Sequence, residues 1–240
     1  MPSGADDGRG KLEPRAMVST RQLRRLAAAG DRVAHFRLGY RLAFARDSRR
    51  RSWRRAATHW RAATAGMTTA SGLVTAAEPV VRAMFYLGVC HDLGRGARRD
   101  RAQARRWYRL AALAGDPTAQ YNLAHMLRDG VGGRLDRALA VRWLYLSADT
   151  GDREAQADLG YCLHEGLGVR RDLAAAAAWY RRAARGGLAR AQFNLALCYL
   201  DGDGVVASRR WARHWLRMAA GQGHRRAQRM LREVGVSVSG

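Results

Sequence analysis

Residues 155–190 read AQADLGYCLHEGLGVRRDLAAAAAWYRRAARGGLAR, and the pattern of this stretch recurs along the chain. A tryptophan, a leucine and a glycine each return every 36 residues, as Trp107, Trp143, Trp179 and Trp215; Leu87, Leu123, Leu159, Leu195 and Leu231; and Gly115, Gly151, Gly187 and Gly223. Three residue types that hold one period without an insertion indicate tandem structural repeats. The sequence therefore predicts an array of four units.

Each unit carries the pattern of two helices. In the first helix, apolar residues recur at positions i, i+4 and i+7, which places them on one helical face. A Gly-x-Gly pair ends this helix, because glycine adopts the left-handed conformation that closes a helix C-terminus. The second helix begins after a residue that favours the N-cap position: Asp100, Asp136, Asp172 or Ser208. Short connections then predict an all-α fold, an α/α superhelical solenoid of antiparallel helix pairs with a 36-residue repeat.

The chain is predicted to divide into five segments. They are a disordered N-terminal tail at 1–18, a divergent arginine-rich repeat region at 19–66, an insertion at 67–82, the regular array of four units plus a closing helix at 83–233, and a C-terminal tail at 234–240. The divergent region is assigned because Leu38 and Gly66 precede Leu87 and Gly115 by the same 49 residues.

The repeat resembles a known family. Ala155-Gln156-x-x-Leu159-Gly160, a following Gly-x-Gly, an aspartate and then Trp179-Tyr180 match the motif of the Sel-one-like repeat family, which is related to the tetratricopeptide repeats. The resemblance implies an α/α superhelix that acts as a protein-binding adaptor without catalytic activity. Some positions depart from the motif: Ser208 replaces Asp, Leu144 and Leu216 replace Tyr, and Thr58 stands where a Trp is expected.

Composition narrows the possible classes of protein. The 240 residues include 43 Lys+Arg and 20 Asp+Glu, for a formal net charge of +23. Since 48% of the residues are hydrophobic, the chain can bury a core and is not a disordered basic tail. The N-terminus lacks the apolar core of a secretory signal, and no uncharged stretch reaches the ~20 apolar residues of a membrane span. We therefore expect no membrane span and a cytoplasmic location.

No motif indicates an enzyme. The Gly-x-Gly pairs never continue into the Gly-Lys-Ser/Thr of a phosphate-binding loop, and the seven histidines show no metal-ligand spacing. We expect no catalytic residue, no metal site and no cofactor. The recurring tryptophans are interpreted as large core side chains that face small residues of the adjacent helix. Cys90, Cys162 and Cys198 share one repeat position and are interpreted as small core side chains.

A partner-binding groove is one hypothesis for the first helices. Two sets of residues differ between the copies at one helical position and lie three residues apart, on a face distinct from the core stripe. The first set is Tyr86, Asn122, Asp158 and Asn194, and the second is Val89, His125, Tyr161 and Leu197. Together they would suit an extended or helical peptide. The alternative is that these positions are merely tolerant surface.

Positive charge is densest near the N-terminus, where a cluster of six arginines surrounds Trp53: Arg46, Arg49, Arg50, Arg51, Arg54 and Arg55. Such a cluster suits an anionic partner, which would be an acidic protein, a nucleic acid or a membrane surface. Arginines on the second helices are interpreted as a solvated face.

Two functions follow from these features. The first is a non-catalytic protein–protein interaction adaptor that holds a protein partner in the solenoid groove. Acidic proteins are among the partners that this hypothesis includes. The alternative is a nucleic-acid-associated protein that uses the basic N-terminal region.

Overall fold

The computed structural model describes residues 18–45, 47, 51–66 and 77–236. Within these residues the secondary structure is helical and contains no strand. The helices are α1 (Thr20–Ala28), α2 (Arg32–Ala43), α3 (Trp53–Ala63), α4 (Glu78–Leu93), α5 (Arg101–Leu113), α6 (Pro117–Arg128), α7 (Arg137–Asp149), α8 (Arg153–Glu165), α9 (Leu173–Arg185), α10 (Ala189–Asp201), α11 (Arg209–Gly221) and α12 (Arg225–Val236). The predicted all-α solenoid of helix pairs is confirmed.

The helices pair as the sequence predicts. α4 to α11 form the four regular units, α2 and α3 form the divergent unit, and α12 closes the array. We call α4, α6, α8 and α10 the first helices, and α5, α7, α9 and α11 the second helices.

Two helix boundaries differ from the predicted segments. α4 begins at Glu78, with Pro79 in its first turn and Val80 and Val81 buried, so residues 78–82 are helical and not part of an insertion. α12 continues to Val236, past the start of the predicted tail at 234. Residues 1–17 of the predicted N-terminal tail, residues 67–76 of the predicted insertion and residues 237–240 lie outside the described residues.

Side-chain caps fix where the helices begin. The four residues predicted to cap the second helices each accept a hydrogen bond from a backbone N–H of the first turn, as Asp172 does from Ala175 at 2.9 Å. Sequence reasoning missed the matching caps of the first helices. Asp116 and Asp152 accept hydrogen bonds from the backbone N–H groups of Ala119 and Ala155 at 2.8 and 3.0 Å. These two first helices therefore start two residues before the alanine that recurs every 36 residues.

The glutamine of the Ala-Gln motif closes the preceding helix. Gln120, Gln156, Gln192 and Gln228 each donate from Nε2 to the carbonyl eight residues upstream, at 3.1–3.3 Å. These carbonyls lie at the C-terminal end of a second helix, where the backbone has no intrahelical donor left. The motif thus links one unit to the next through a hydrogen bond that is buried in the middle of the array.

Packing within a unit depends on pairs of residues 20 positions apart. A Cβ added at Gly88 would lie 2.6 Å from Tyr108, and one added at Gly160 would lie 2.8 Å from Tyr180. The other two units pair an alanine with a leucine, Ala124 with Leu144 and Ala196 with Leu216, and all four are buried. Where the second-helix residue is tyrosine, the first-helix residue that faces it is therefore glycine, and where the second-helix residue is leucine, the first-helix residue is alanine.

The recurring tryptophans pack against the core, as predicted, but they do not fill these small sites. Trp107, Trp143, Trp179 and Trp215 are half-buried and pack against the edge of the core. In the divergent unit, Trp60 occupies the site instead, because a Cβ on Gly39 would lie 2.5 Å from its Nε1. The residue that follows the recurring tryptophan is the one that enters the helix interface.

Adjacent units meet through the second glycine of each Gly-x-Gly pair. A Cβ added at Gly132 would lie 2.2 Å from the Arg101 carbonyl oxygen, and one added at Gly168 would lie 2.4 Å from that of Arg137. Both carbonyls belong to the first turn of the preceding unit's second helix. The turn therefore packs backbone against backbone, and only glycine leaves room for this contact.

The three cysteines are buried and unpaired, as predicted. Burial raises the pKa of the Cys162 and Cys198 thiols to about 11 and that of Cys90 to about 12. They are core side chains.

Candidate functional site

One member of the predicted groove, Tyr86, belongs to the core. Its side chain is buried, its ring stacks on Trp60 with centroids 4.8 Å apart, and Phe44, directly after α2, has its ring centroid 5.5 Å away. This aromatic cluster joins the divergent unit to the regular array. Tyr86 therefore does not line a groove, since aromatic residues of the divergent unit cover it.

The two asparagines of the same row have internal partners. Asn122 lies near the side chain of Tyr108 and Asn194 near that of Tyr180, and each opposes the rise in the tyrosine pKa that burial causes. A buried tyrosine hydroxyl requires such a partner. Where Leu144 replaces the tyrosine, the next unit has Asp158 in place of an asparagine. The variation along this row follows the packing of the preceding unit.

Asp158 is the centre of an ion-pair network that spans three first helices. Its carboxylate is buried, pairs with the Arg190 guanidinium of α10, and lies 2.8 Å from Nε2 of His125 on α6. Arg190 also donates to the Glu154 carboxylate at 2.7 Å. Arg128 lies 2.9 Å from Nδ1 of His125 and 3.9 Å from the Asp158 carboxylate.

Burial raises the pKa of Asp158, but the His125 ring 2.8 Å away and the charge of Arg190 outweigh burial and hold the pKa below its usual value. The carboxylate therefore stays charged, and the network ties α6, α8 and α10 together. A buried charge without these partners would cost several kcal/mol. The row containing Tyr86 and Asp158 is thus used for internal structure.

The second predicted row remains accessible to solvent. Tyr161 is the most open of its members, with 47% of its surface exposed. Val89, His125 and Leu197 are half-buried at the equivalent positions of the other three units. The structure therefore separates the eight predicted groove residues into one row that is used internally and one that faces outward, with His125 of the outward row also belonging to the ion-pair network.

A second histidine, His164, links two adjacent units. His164, at the end of α8, lies 2.9 Å from the Glu165 carboxylate and 3.0 Å from that of Asp203, which follows α10. Burial lowers the pKa of His164, but the hydrogen bonds and charges of the two carboxylates outweigh it and raise the pKa above the usual value. Sequence reasoning missed this contact, because the partner lies 39 residues away.

The raised pKa of His164 predicts a pH-dependent stability. A group whose pKa is raised on folding contributes stability that is complete below its unfolded pKa of about 6.5 and lost as pH rises through the folded value. We expect His164→Gln to lower the melting temperature by about 1–3 °C at pH 5.5, and by less at pH 9. Thermal melts of both proteins at the two pH values test this. Asp203→Asn should show the same pH dependence, and an equal loss at both values would contradict the assignment.

The predicted anionic-partner patch is described only in part. Arg46, Arg49 and Arg50 lie outside the described residues. Arg51 donates to the carbonyl of Ala45 at 3.2 Å, and Arg54 and Arg55 are exposed in the first turn of α3. The patch as a six-arginine unit stays a prediction.

In the described part of the chain, no three His, Cys, Asp or Glu side chains lie close enough together to hold a metal ion. None of the helices there is both long and apolar enough to cross a membrane.

The fold and this site define an α/α repeat scaffold, whose first helices present one row of side chains outward and use the other internally. Four consecutive segments match the Sel1 repeat: residues 81–116, 117–152, 153–188 and 189–224. The chain therefore belongs to the Sel1 repeat family, whose members generally mediate protein–protein interaction as non-catalytic scaffolds.

Solved structures support the same fold. The chain is similar to c5321, a protective antigen present in uropathogenic Escherichia coli strains displaying an SLR fold, at 27% identity over 89% of this chain and with a TM-score of 0.67. It spans about half of that protein, 51% of its length. A Sel1 repeat protein from Oxalobacter formigenes has a TM-score of 0.71 at 24% identity, over 84% of this chain and 79% of the other. No curated protein matches the sequence.

Proposed function

We propose that the protein is a non-catalytic adaptor that binds a protein segment along the outward row of its first helices, centred on Tyr161. The observation that supports this proposal is an exposed tyrosine on a face that the ion-pair network otherwise holds rigid. Rigid aromatic side chains are effective anchors, because little conformational entropy is lost when a partner covers them.

The outward row suits an extended or helical segment. Val89, His125, Tyr161 and Leu197 occur once per unit, so a bound peptide would contact aliphatic, imidazole and phenol groups in turn. The neighbouring row offers fewer contacts, since Asp158 and the two asparagines already have partners. Specificity would then depend on the outward row.

Replacement of the outward row should remove the partner without unfolding the protein. We expect Tyr161→Ala with Leu197→Ala to reduce the amount of co-purified protein at least about tenfold, the effect of losing one anchor residue. The measurement is affinity purification at high salt with quantification of the captured proteins. The matched control is Tyr145→Ala, a tyrosine of similar exposure, 38%, on the second helix α7.

The control variant should capture the same proteins as the unmodified chain. Undiminished capture by the Tyr161→Ala, Leu197→Ala variant would contradict the groove. Tyr86→Ala is unsuitable for this experiment, because it removes a buried ring from the core. Nucleic-acid binding through the 46–55 cluster stays an alternative, with three of its six arginines described.

A further inference from the structure

Charge is divided unequally between the two sides of the repeat array. The second helices α5, α7, α9 and α11 carry 13 arginines and one carboxylate, Asp149. The first helices α4, α6, α8 and α10 carry four arginines and six carboxylates. The array therefore has one strongly basic side, which we call the second-helix face.

The second-helix face also exposes apolar side chains. They lie on α7 and α11 and in the turns that lead into these helices: Leu135, Leu139, Leu146, Val206, Trp211 and Met218. Val206 is 89% exposed, Leu146 52% and Met218 47%. Aliphatic groups of this size would be expected to avoid water unless something covers them.

These residues form stripes at helical spacing. On α7 the stripe is Leu139, Trp143 and Leu146, and on α11 it is Trp211, Trp215 and Met218, in both cases at i, i+4 and i+7. Residues at this spacing share one side of a helix. At the matching positions of α9, Arg182 lies over the Trp179 ring at 4.5 Å. The exposed apolar stripes therefore lie on α7 and α11, whereas α9 has Arg182 at the position of Leu146 and Met218. Each second helix also carries a tryptophan.

The combination of arginines with exposed apolar side chains distinguishes between two kinds of anionic partner, a nucleic acid and a lipid bilayer. Arginine binds the phosphates of nucleic acids and of lipids equally well. Exposed leucine, valine and methionine gain little against a nucleic acid, which offers phosphates and base faces. At a bilayer, by contrast, aliphatic side chains enter the boundary between headgroups and acyl chains, tryptophan prefers the same depth, and arginine reaches the headgroup phosphates.

We propose that the second-helix face binds the surface of an anionic lipid bilayer, with α7 and α11 inserting their apolar stripes and the arginines contacting lipid phosphates. The protein would lie on the membrane and leave the first helices free. This inference does not depend on the adaptor function, because it concerns the opposite face and different residues.

The test measures sedimentation of the full-length protein with vesicles. We expect binding to phosphatidylcholine vesicles that contain phosphatidylglycerol, and much weaker binding to phosphatidylcholine alone. Replacing three exposed arginines, Arg106→Gln, Arg209→Gln and Arg217→Gln, should weaken binding at least about tenfold, since each cation near an anionic surface contributes several-fold. The charge-matched control replaces Arg225, Arg229 and Arg232, which are exposed on α12, and should lose much less.

The apolar contribution has its own variant. Leu146→Gln with Met218→Gln should weaken vesicle binding at least about fivefold and leave binding to polyglutamate or a single-stranded oligonucleotide unchanged. Its control is Leu26→Gln with Leu93→Gln, two similarly exposed leucines outside the second-helix face. Circular dichroism and thermal melts establish that each variant is folded, which is expected because every replaced side chain is exposed.

The remaining outcomes would overturn the proposal. Equal losses in test and control variants would show that only net charge matters. Unchanged vesicle binding by the Leu146→Gln, Met218→Gln variant would show that no apolar insertion occurs. Binding to the oligonucleotide or to polyglutamate without binding to vesicles would show that the partner is a nucleic acid or an acidic protein.

Discussion

Gly168→Ala should destabilise the protein by about 3 kcal/mol or more, whereas Gly166→Ala should cost only about 1–2 kcal/mol. The two glycines belong to one turn and have almost the same backbone conformation, with φ of +74° and +72°. The free-energy cost of placing alanine in the left-handed backbone conformation is therefore the same at both positions. The positions differ in their surroundings.

The difference arises from the contact between units. The added methyl group at Gly168 would lie 2.4 Å from the Arg137 carbonyl oxygen, whereas at Gly166 its nearest neighbour would be the Arg171 Cβ at 3.5 Å. A backbone carbonyl in the first turn of a helix cannot move aside like a flexible side chain, so the units would have to separate. Urea unfolding of both variants, followed by tryptophan fluorescence, measures the difference. Equal unfolding free energies would show that the close approach is not maintained in solution.

The second large effect is expected at the paired sites within a unit. Gly160→Ala should destabilise by about 2 kcal/mol, although alanine is the better helix former by about 1 kcal/mol. The reason is the new Cβ, which would lie 2.8 Å from the Tyr180 ring. Tyr180→Leu alone should also cost about 2 kcal/mol, since it leaves space above Gly160 that the core cannot fill.

The double variant Gly160→Ala, Tyr180→Leu should be more stable than either single variant. It reproduces the Ala124–Leu144 and Ala196–Leu216 pairs that occur in the two neighbouring units. Recovery is expected to be incomplete, because Asn194 loses its tyrosine partner, at a cost of about 1 kcal/mol. Chemical unfolding of all four proteins gives the coupling energy, expected at about 1–3 kcal/mol. Additive effects of the two substitutions would contradict the pairing.

Several features of the fold could be predicted because they are local and repeat. The period of 36, the two helices per unit and the caps at Asp100, Asp136 and Asp172 follow from side chains that act on their own helix. The buried cysteines followed from their shared position. The caps at Asp116 and Asp152 also had a sequence signal, an aspartate three residues before the recurring alanine, which was overlooked.

The candidate groove could be predicted only in part. Variation between copies identified both rows, but it did not show that Tyr86 is covered by Trp60 or that Asp158 is held by Arg190 and His125. Those partners come from other units and from the divergent N-terminal unit. Of the eight residues, Tyr161 alone is exposed.

The sequence by itself determined the repeat, the helix pairs and the family, because periodic spacing and capping depend on residues a few positions apart. The tertiary structure decided which of two adjacent residues, Trp179 or Tyr180, enters the small site at Gly160. It also decided which glycine of each turn touches a neighbouring unit, and which face collects the positive charge. Successive residues point about 100° apart around a helix, so these assignments depend on how neighbouring helices are rotated against one another. That rotation is set by contacts between residues 20 to 40 positions apart in the chain.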